Sequence, residues 1–397
     1  MQNLSTLIAS LSESETLAMS QKSKEMQAQG IDVINLSVGE PDFNTPAHIK
    51  EAAKSAIDAN FSFYTPVPGY LSLREAICAK LKKENGLDYQ PNQIVCSNGA
   101  KQAVCNALLT IVNPVDEVII PAPCWVSYIE MVKLTRATPV VIHTTIDSDF
   151  KITPKQLEAA ITTRTRVLML CSPSNPTGSI YSQEELQALA EVLKKHPQIN
   201  ILSDEIYEHI NYMGAHQSIT QFPELKERTV LVNGVSKAFA MTGWRLGWMA
   251  APLWIAKGAS KLQGQYTSGC SSIAQKAAEG AYRGDLSCVE EMRKVFQKRR
   301  DLIVQLATEI PGFKVNKPQG AFYLFPDCTY YFGKSVGDRK IKDSTDLAMY
   351  LLDKAQVASV AGAAFSSPNN IRFSYATSDE NIKEAMRRVK NALAQLK

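Results

Sequence analysis

Four short stretches of the 397-residue chain carry side chains whose types and spacing suit chemistry: Asn98-Gly99-Ala100-Lys101, Ser172-Pro173-Ser174-Asn175-Pro176-Thr177-Gly178, Asp204-Glu205-Ile206-Tyr207 and Gly234-Val235-Ser236-Lys237. Each follows a short apolar run that reads as a strand. Gly99 and Ala100 lead into a helical pattern, whose free N–H groups and positive dipole end suit an anion such as phosphate; an ordinary helix start on small residues would look the same. Asp204 ends an apolar run and is desolvated unless a cation or a hydrogen bond meets it, an N-cap being the plainer reading. Lys237 stands eight positions before Arg245 in SKAFAMTGWRLG. It is either a solvated point charge or, among cations and apolar walls, a neutral amine able to form a Schiff base. An amine, an anion cradle with a guanidinium, a carboxylate and a phenol together match pyridoxal phosphate, which needs a lysine for its aldehyde, donors for its phosphate and an acid for its ring nitrogen.

Such groups meet only if the elements beneath them place them at one edge. Between about Thr45 and Ala251, amphipathic helical windows alternate with β-branched runs, the pattern of a mainly parallel sheet covered by helices on both faces. In that α/β fold ligands sit beyond the carboxyl ends of the strands, where all four stretches fall. The helical windows are 46–60, with Thr45 as N-cap, 71–85, 101–112, 125–134, 154–161 and 182–195. The strand-like runs are 93–97, 117–120, 139–143, 166–171, 200–203 and 229–233. After about Ser287 the pattern changes to a long charged helix, GAFYLF, a polar loop over 331–344, a further helix, IRFSYA and a terminal helix, which reads as a smaller α+β domain. The first 30 residues read as one amphipathic helix ending at Gly30. The expected division is an N-terminal arm over 1–45 packing with the small domain, a large domain over 46–287 and a small domain over 288–397.

Composition narrows the function classes. The net charge of +4, from 43 basic and 39 acidic residues, is too thin and dispersed for a nucleic-acid or membrane footprint, so small molecules are the expected partners. The uncharged stretch near the Trp pair, Leu246 to Ala256, is broken by Pro252 and far below the ~20 residues of a membrane span. Met1 to Ser20 shows no secretory pattern, so a cytoplasmic address is expected. The eight cysteines form no C-x-x-C pair and read as reduced thiols, and the five histidines show no ligand spacing, so no metal is expected.

At these residues the chain resembles the class I aminotransferases of fold type I, and most closely their bacterial aspartate aminotransferase branch. The resemblance runs nearly end to end through SVGEPDFNTP, YTPVPGYLSLREA, SNGAKQAV, PAPCWVSY, SPSNPTG, SDEIYEHI, VSKAFAMTGWRLGW and NIRFSYA. It implies pyridoxal 5'-phosphate bound to Lys237, the catalytic base and acid. Asp204 would pair with the ring nitrogen, Tyr207 and Asn175 would hydrogen-bond the ring's 3-oxygen, and Trp125, otherwise a core aromatic, would stack on the ring. The phosphate would lie on Gly99, Ala100, Lys101, Ser236 and Arg245, with Tyr64 reaching across from a second subunit, which implies a homodimer with shared sites. Arg372 and the Gly39 N–H would take the substrate α-carboxylate, with Trp125 and Asn175 alongside. Gly234 stands where many relatives have a second phosphate-binding serine, and Ala361 where a proline is usual.

Substrate choice rests on Lys101. In the bacterial branch a lysine here meets the distal carboxylate, which implies transfer from L-aspartate to 2-oxoglutarate; the alternative is a lysine that only caps the phosphate end. Relatives that accept prephenate carry an arginine in the N-terminal segment, whereas Ser12-Glu13-Ser14-Glu15-Thr16 has none. An aromatic or kynurenine aminotransferase or a carbon–sulfur β-lyase would share every cofactor residue named. A non-enzyme effector-sensing domain would require a DNA-binding module, for which the 36 residues before SVGEP show no pattern. No G-x-G-x-x-G supports a nicotinamide enzyme.

Overall fold

Strands covered by helices on both faces need apolar side chains on both, and so read as unbroken runs rather than alternating ones. The computed structural model, which describes residues 4–397, shows this in a seven-stranded sheet: β1 (Ile94–Ser97), β2 (Glu117–Ala122), β3 (Thr138–His143), β4 (Thr165–Cys171), β5 (Asn200–Asp204), β6 (Thr229–Gly234) and β7 (Gly247–Ala250). Their spatial order is β1-β7-β6-β5-β4-β2-β3. Alternate residues feed two cores. Val118, Ile120, Val167, Met169, Leu202, Val230, Val232 and Met249 pack on one face. Ile119, Leu168, Leu170 and Ile201 pack on the other, extended by Ile94, Cys96, Leu231 and Trp248.

The sheet is parallel except at β7, which runs antiparallel to both β1 and β6. This strand is absent from the sequence reading because Gly-Trp-Met-Ala offers no β-branched residue and is only four residues long. It explains Gly234. Gly234 pairs with Gly247, and a Cβ on Gly234 would stand 2.7 Å from the Gly247 Cα, leaving no room for a serine. A Cβ on Gly247 would run into the backbone of Gly99 and Ala100, so the two glycines let β7 approach the next helix closely.

The helices that matter for the site are α1 (Glu15–Ala28), α2 (Ala47–Asp58), α3 (Leu71–Asn85), α4 (Ala100–Ile111) and α5 (Ser127–Leu134). Two expectations about the N-terminal part need correction. The segment before Gly30 is not one amphipathic helix: a short turn of helix at Thr6–Ala9 is separate, and α1 buries only Ser23 while Leu17 is exposed. Only Met19 and Met26, either side of Ser23, share an inward face, a narrow stripe in place of a broad amphipathic one. Thr45 does not cap α2, which begins after Pro46; its hydroxyl instead donates to the Ala240 carbonyl at 2.8 Å and accepts from Trp244 Nε1 at 3.1 Å. That ties the start of α2 to the loop after Lys237.

C-terminal to the sheet, the long helix α6 (Ser287–Thr308) and the terminal helix α7 (Asp379–Leu393) cover a three-stranded antiparallel sheet of β8 (Tyr323–Leu324), β9 (Val360–Ala361) and β10 (Ile371–Ser374). The polar 331–344 stretch holds a small hairpin, Ser335–Val336 against Arg339–Lys340, rather than loop alone. Ile34–Asn35 pairs in parallel with Val357–Ala358, and Met19 and Met26 pack near Leu352, so the arm lies against this region. Residues 1–3 of the expected arm lie outside the described residues.

Candidate active site

All parallel strands, and β1 with them, end at one edge of the sheet, and a cavity of about 270 Å³ opens there. Its wall includes Gly39, Ala100, Lys101, Trp125, Asn175, Asp204, Tyr207, Ser236, Lys237, Arg245 and Arg372. Eleven residues named from the sequence thus converge from positions as distant as 39 and 372. Gly99 lies just outside, at φ +83° as the residue before α4, where a Cβ would collide with the Arg245 guanidinium. Tyr64 does not join them: it is 98% exposed.

Lys237 projects from the loop after β6, and its Nζ donates to the Gly39 carbonyl at 2.6 Å. Its pKa is pulled down to about 8, chiefly by burial, with Arg245 and Arg372 also lowering it and Glu40 and Asp204 opposing them. Asp204, the last residue of β5, accepts from the Tyr128 hydroxyl at 2.7 Å and from the Ile206 N–H at 3.2 Å. Burial still raises its carboxyl to about 6. It is a carboxylate supported by two donors that lacks the cation a buried charge calls for.

Arg372 lies on β10, 1% exposed, with its guanidinium 4.5 Å from the Tyr323 ring centroid and 4.8 Å from that of Phe365. It donates to Asn175 Oδ1 at 2.8 Å and to the Ser37 carbonyl at 2.5 Å, while its Nε is buried without a partner. An arginine desolvated among neutral acceptors, with a donor left over, is built for an anion that arrives from outside. On the other side, Arg245 donates to the Thr242 and Asn98 carbonyls beside the N-terminus of α4. Lys101, in the first turn of α4, holds its Nζ 5.1 Å from the Trp125 ring centroid, and burial and Arg245 depress its pKa.

Tyr207 meets Tyr323 hydroxyl to hydroxyl at 2.8 Å. Tyr323, Tyr128 and Cys171 also line the cavity, as do Ser14, Thr16 and Leu17 from the start of α1. Ser14 and Thr16 belong to the N-terminal segment read for substrate choice, whereas Tyr323, Tyr128, Cys171 and Leu17 are not expected at the site from the sequence. Tyr128 sits three residues after Trp125, one helical turn on, and that spacing is the signal that could have found it. Tyr323 lies inside the apolar run GAFYLF and gives no such signal.

The residues present fit pyridoxal phosphate. A buried lysine with a depressed pKa, an acid wanting a cation, an open helix N-terminus under an arginine and a phenol share one cavity of suitable size. Known proteins agree. The aminotransferase class I and II family profile matches residues 31–389. A bifunctional aspartate aminotransferase and glutamate/aspartate-prephenate aminotransferase of Petunia hybrida is 49% identical over 401 residues, covering 100% of this chain and 84% of that protein. An aspartate/prephenate aminotransferase of Cereibacter sphaeroides is 47% identical, covering 99% of each chain. The crystal structure of the Rhizobium meliloti aspartate aminotransferase superposes with a TM-score of 0.96 at 42% identity, covering 100% of both chains. With the α/β architecture of fold type I and this site, the chain belongs to the class I and II aminotransferases, which work with pyridoxal phosphate.

Proposed function

We propose that this chain transfers the amino group of L-aspartate to 2-oxoglutarate, giving oxaloacetate and L-glutamate in two half-reactions that use the same cavity in turn. The observation that carries the reading is the cavity's charge. Among the described residues, Lys101, Lys237, Arg245 and Arg372 line it against the one carboxylate of Asp204. Arg245 and Arg372 bond only to carbonyl and amide oxygens, and Lys101 faces an aromatic ring. Taken cation by cation, with Lys237 committed to the cofactor, a phosphate meets Arg245, an α-carboxylate meets Arg372 and a second, distal carboxylate meets Lys101. A monocarboxylic amino acid would leave Lys101 without an anion to meet.

Bound there, pyridoxal phosphate supplies an aldehyde that joins the amino acid and a ring that draws electrons from its Cα. The chain does the rest. Gly99, Ala100 and Lys101 at the start of α4, with Ser236 and Arg245, hold the phosphate. Asp204 keeps the ring nitrogen protonated, and Tyr128 keeps Asp204 ionised by donating to it. Tyr207 and Asn175 face the 3-oxygen, and Trp125 covers the ring. Arg372 and the Gly39 N–H take the α-carboxylate, which fixes the Cα–H bond toward Lys237. The Lys237 Nζ, whose pKa burial lowers in the cofactor-free chain, would accept that proton and hand it to the neighbouring cofactor carbon. Lys101 takes the distal carboxylate.

The relatives' names include prephenate, but Ser14, Thr16 and Leu17, which wall the cavity, add no cation to the entrance. We therefore keep prephenate outside the proposed range. A homodimer is part of the proposal, with Tyr64 of a second copy completing the phosphate site. So is the three-part division into arm 1–45, large domain 46–287 and small domain 288–397, which is supported by the separate sheets. The eight free thiols favour a reducing, cytoplasmic compartment. Lys101→Ala tests the substrate. It is expected to lower kcat/KM for aspartate by about 1.5–3 kcal/mol, the scale of a lost charged hydrogen bond, while sparing alanine. Equal losses for both amino acids contradict the assignment.

A further inference from the structure

Behind the turn that carries Asp204 and Tyr207 lies a second set of buried ionisable side chains, on the side away from the cavity. The turn is closed by Glu208 N–H to the Glu205 carbonyl at 3.0 Å and Ile210 N–H to the Tyr207 carbonyl at 2.8 Å. In such a turn residues three apart share a side. Asp204 and Tyr207 face the cavity, whereas Glu208 lines a separate hollow with His216, and Glu205 bonds to His216 and Ser218.

Glu205 is 1% exposed and accepts from Ser203 Oγ at 2.8 Å, Ser218 Oγ at 2.5 Å and His216 Nε2 at 2.9 Å. Glu208 accepts from Lys80 Nζ and from Asn85 Nδ2 at 3.0 Å, both on α3. Lys80 also donates to Asn85 Oδ1 at 2.7 Å, and the Lys80 and Glu208 side chains are 1% and 4% exposed. Burial pushes the Glu208 carboxyl up, but Lys80, His209 and His216 outweigh it and hold the group well below the usual carboxylate range. Glu208 is therefore held as a carboxylate, and the transfer chemistry uses none of the cluster.

Stability is a poor reason for such an arrangement, because a buried ion pair often contributes no more than well-packed apolar residues of the same volume. What it supplies is direction: each carboxylate must meet its donors in one geometry, and each is one residue from a group that must meet the cofactor. We propose that Lys80, Glu205 and Glu208 are positioning residues, anchoring the turn from behind so that Asp204 and Tyr207 are held at the cofactor's ring nitrogen and 3-oxygen. This rests on the roles of Asp204 and Tyr207 given above.

The test compares holoenzyme of the wild type with the double variant Lys80→Met and Glu208→Leu, which replaces the pair by apolar groups of similar volume. The pH midpoint of the visible cofactor band reads the groups around the ring, and a merely structural role would not move it. The expected result is a folded, cofactor-loaded variant whose band midpoint moves by about half a pH unit or more, because the charges near the ring have shifted. Its kcat falls about tenfold while KM for aspartate stays within about twofold, as for misplacement of reacting groups. A variant that folds and keeps the wild-type midpoint and kcat overturns the proposal. Should the double variant fail to fold, Glu208→Gln keeps the shape and removes the charge; an unchanged midpoint and kcat in that protein overturn it equally. A wild type that shows no visible band would instead overturn the cofactor roles on which the proposal stands.

Discussion

Asp204 lies buried at the end of β5, where burial lifts its carboxyl to about 6 against the pull of Tyr128 and the Ile206 N–H. A rise from the ordinary 3.8 to about 6, at 1.36 kcal/mol per unit, makes the ionised group cost about 3 kcal/mol in the cofactor-free protein. The sign follows from proton counts. The folded state binds this proton more tightly than the unfolded chain, so the cost is absent below about pH 4 and complete above about pH 6. Asp204→Asn should therefore make the cofactor-free protein about 1–3 kcal/mol more stable in urea unfolding at pH 7.5 and leave it nearly unchanged at pH 4, while transamination is lost. A variant no more stable than the parent at pH 7.5 contradicts this. Lys237 acts in the other direction: burial pulls it to about 8, so its penalty is full below pH 8 and fades toward 10.5. Cofactor-free protein should thus gain stability between pH 8 and 10, and Lys237→Ala should abolish that gain.

Strands buried on both faces leave a strong record in sequence, and the run Arg166–Cys171 foretells β4 to within one residue. The four strand-edge stretches fall where the sheet needs them, since the position of a loop after a strand is fixed by topology alone. What stays hidden depends on contacts between distant parts. Tyr323 stands out only once β8 brings its hydroxyl to Tyr207, and Thr45 looks like a helix cap until Ala240 and Trp244 claim its hydroxyl. Strand β7 is hidden for a local reason, its glycine and lack of β-branched residues, yet it sets how closely Arg245 approaches α4. Gly247→Ala would press a methyl group into the Gly99–Ala100 backbone, so we expect a loss of about 1–3 kcal/mol in stability and weaker cofactor binding together. Stability and cofactor affinity both equal to the parent's in denaturation and equilibrium dialysis would contradict that account.

At the scale of the whole molecule, the chain presents Phe63 at 81%, Tyr64 at 98%, Leu71 at 53% and Tyr266 at 78% exposure. Large apolar side chains so exposed are what contact with a second copy would cover. Sedimentation should give twice the 43.7 kDa chain mass. Tyr64→Phe should keep that mass and raise the pyridoxal phosphate concentration for half-saturation about tenfold or more, the effect of losing one hydrogen bond to a charged group. An unchanged affinity would remove Tyr64 from the site. The central claim is that one cavity holds the cofactor on Lys237 and a dicarboxylic amino acid between Arg372 and Lys101. Its most direct test is the visible spectrum of the loaded protein before and after L-aspartate is added with no oxo acid present. The account predicts a yellow band that collapses with aspartate and persists far longer with the same concentration of alanine. A band that aspartate leaves unmoved, or no band after pyridoxal phosphate is supplied, would contradict it.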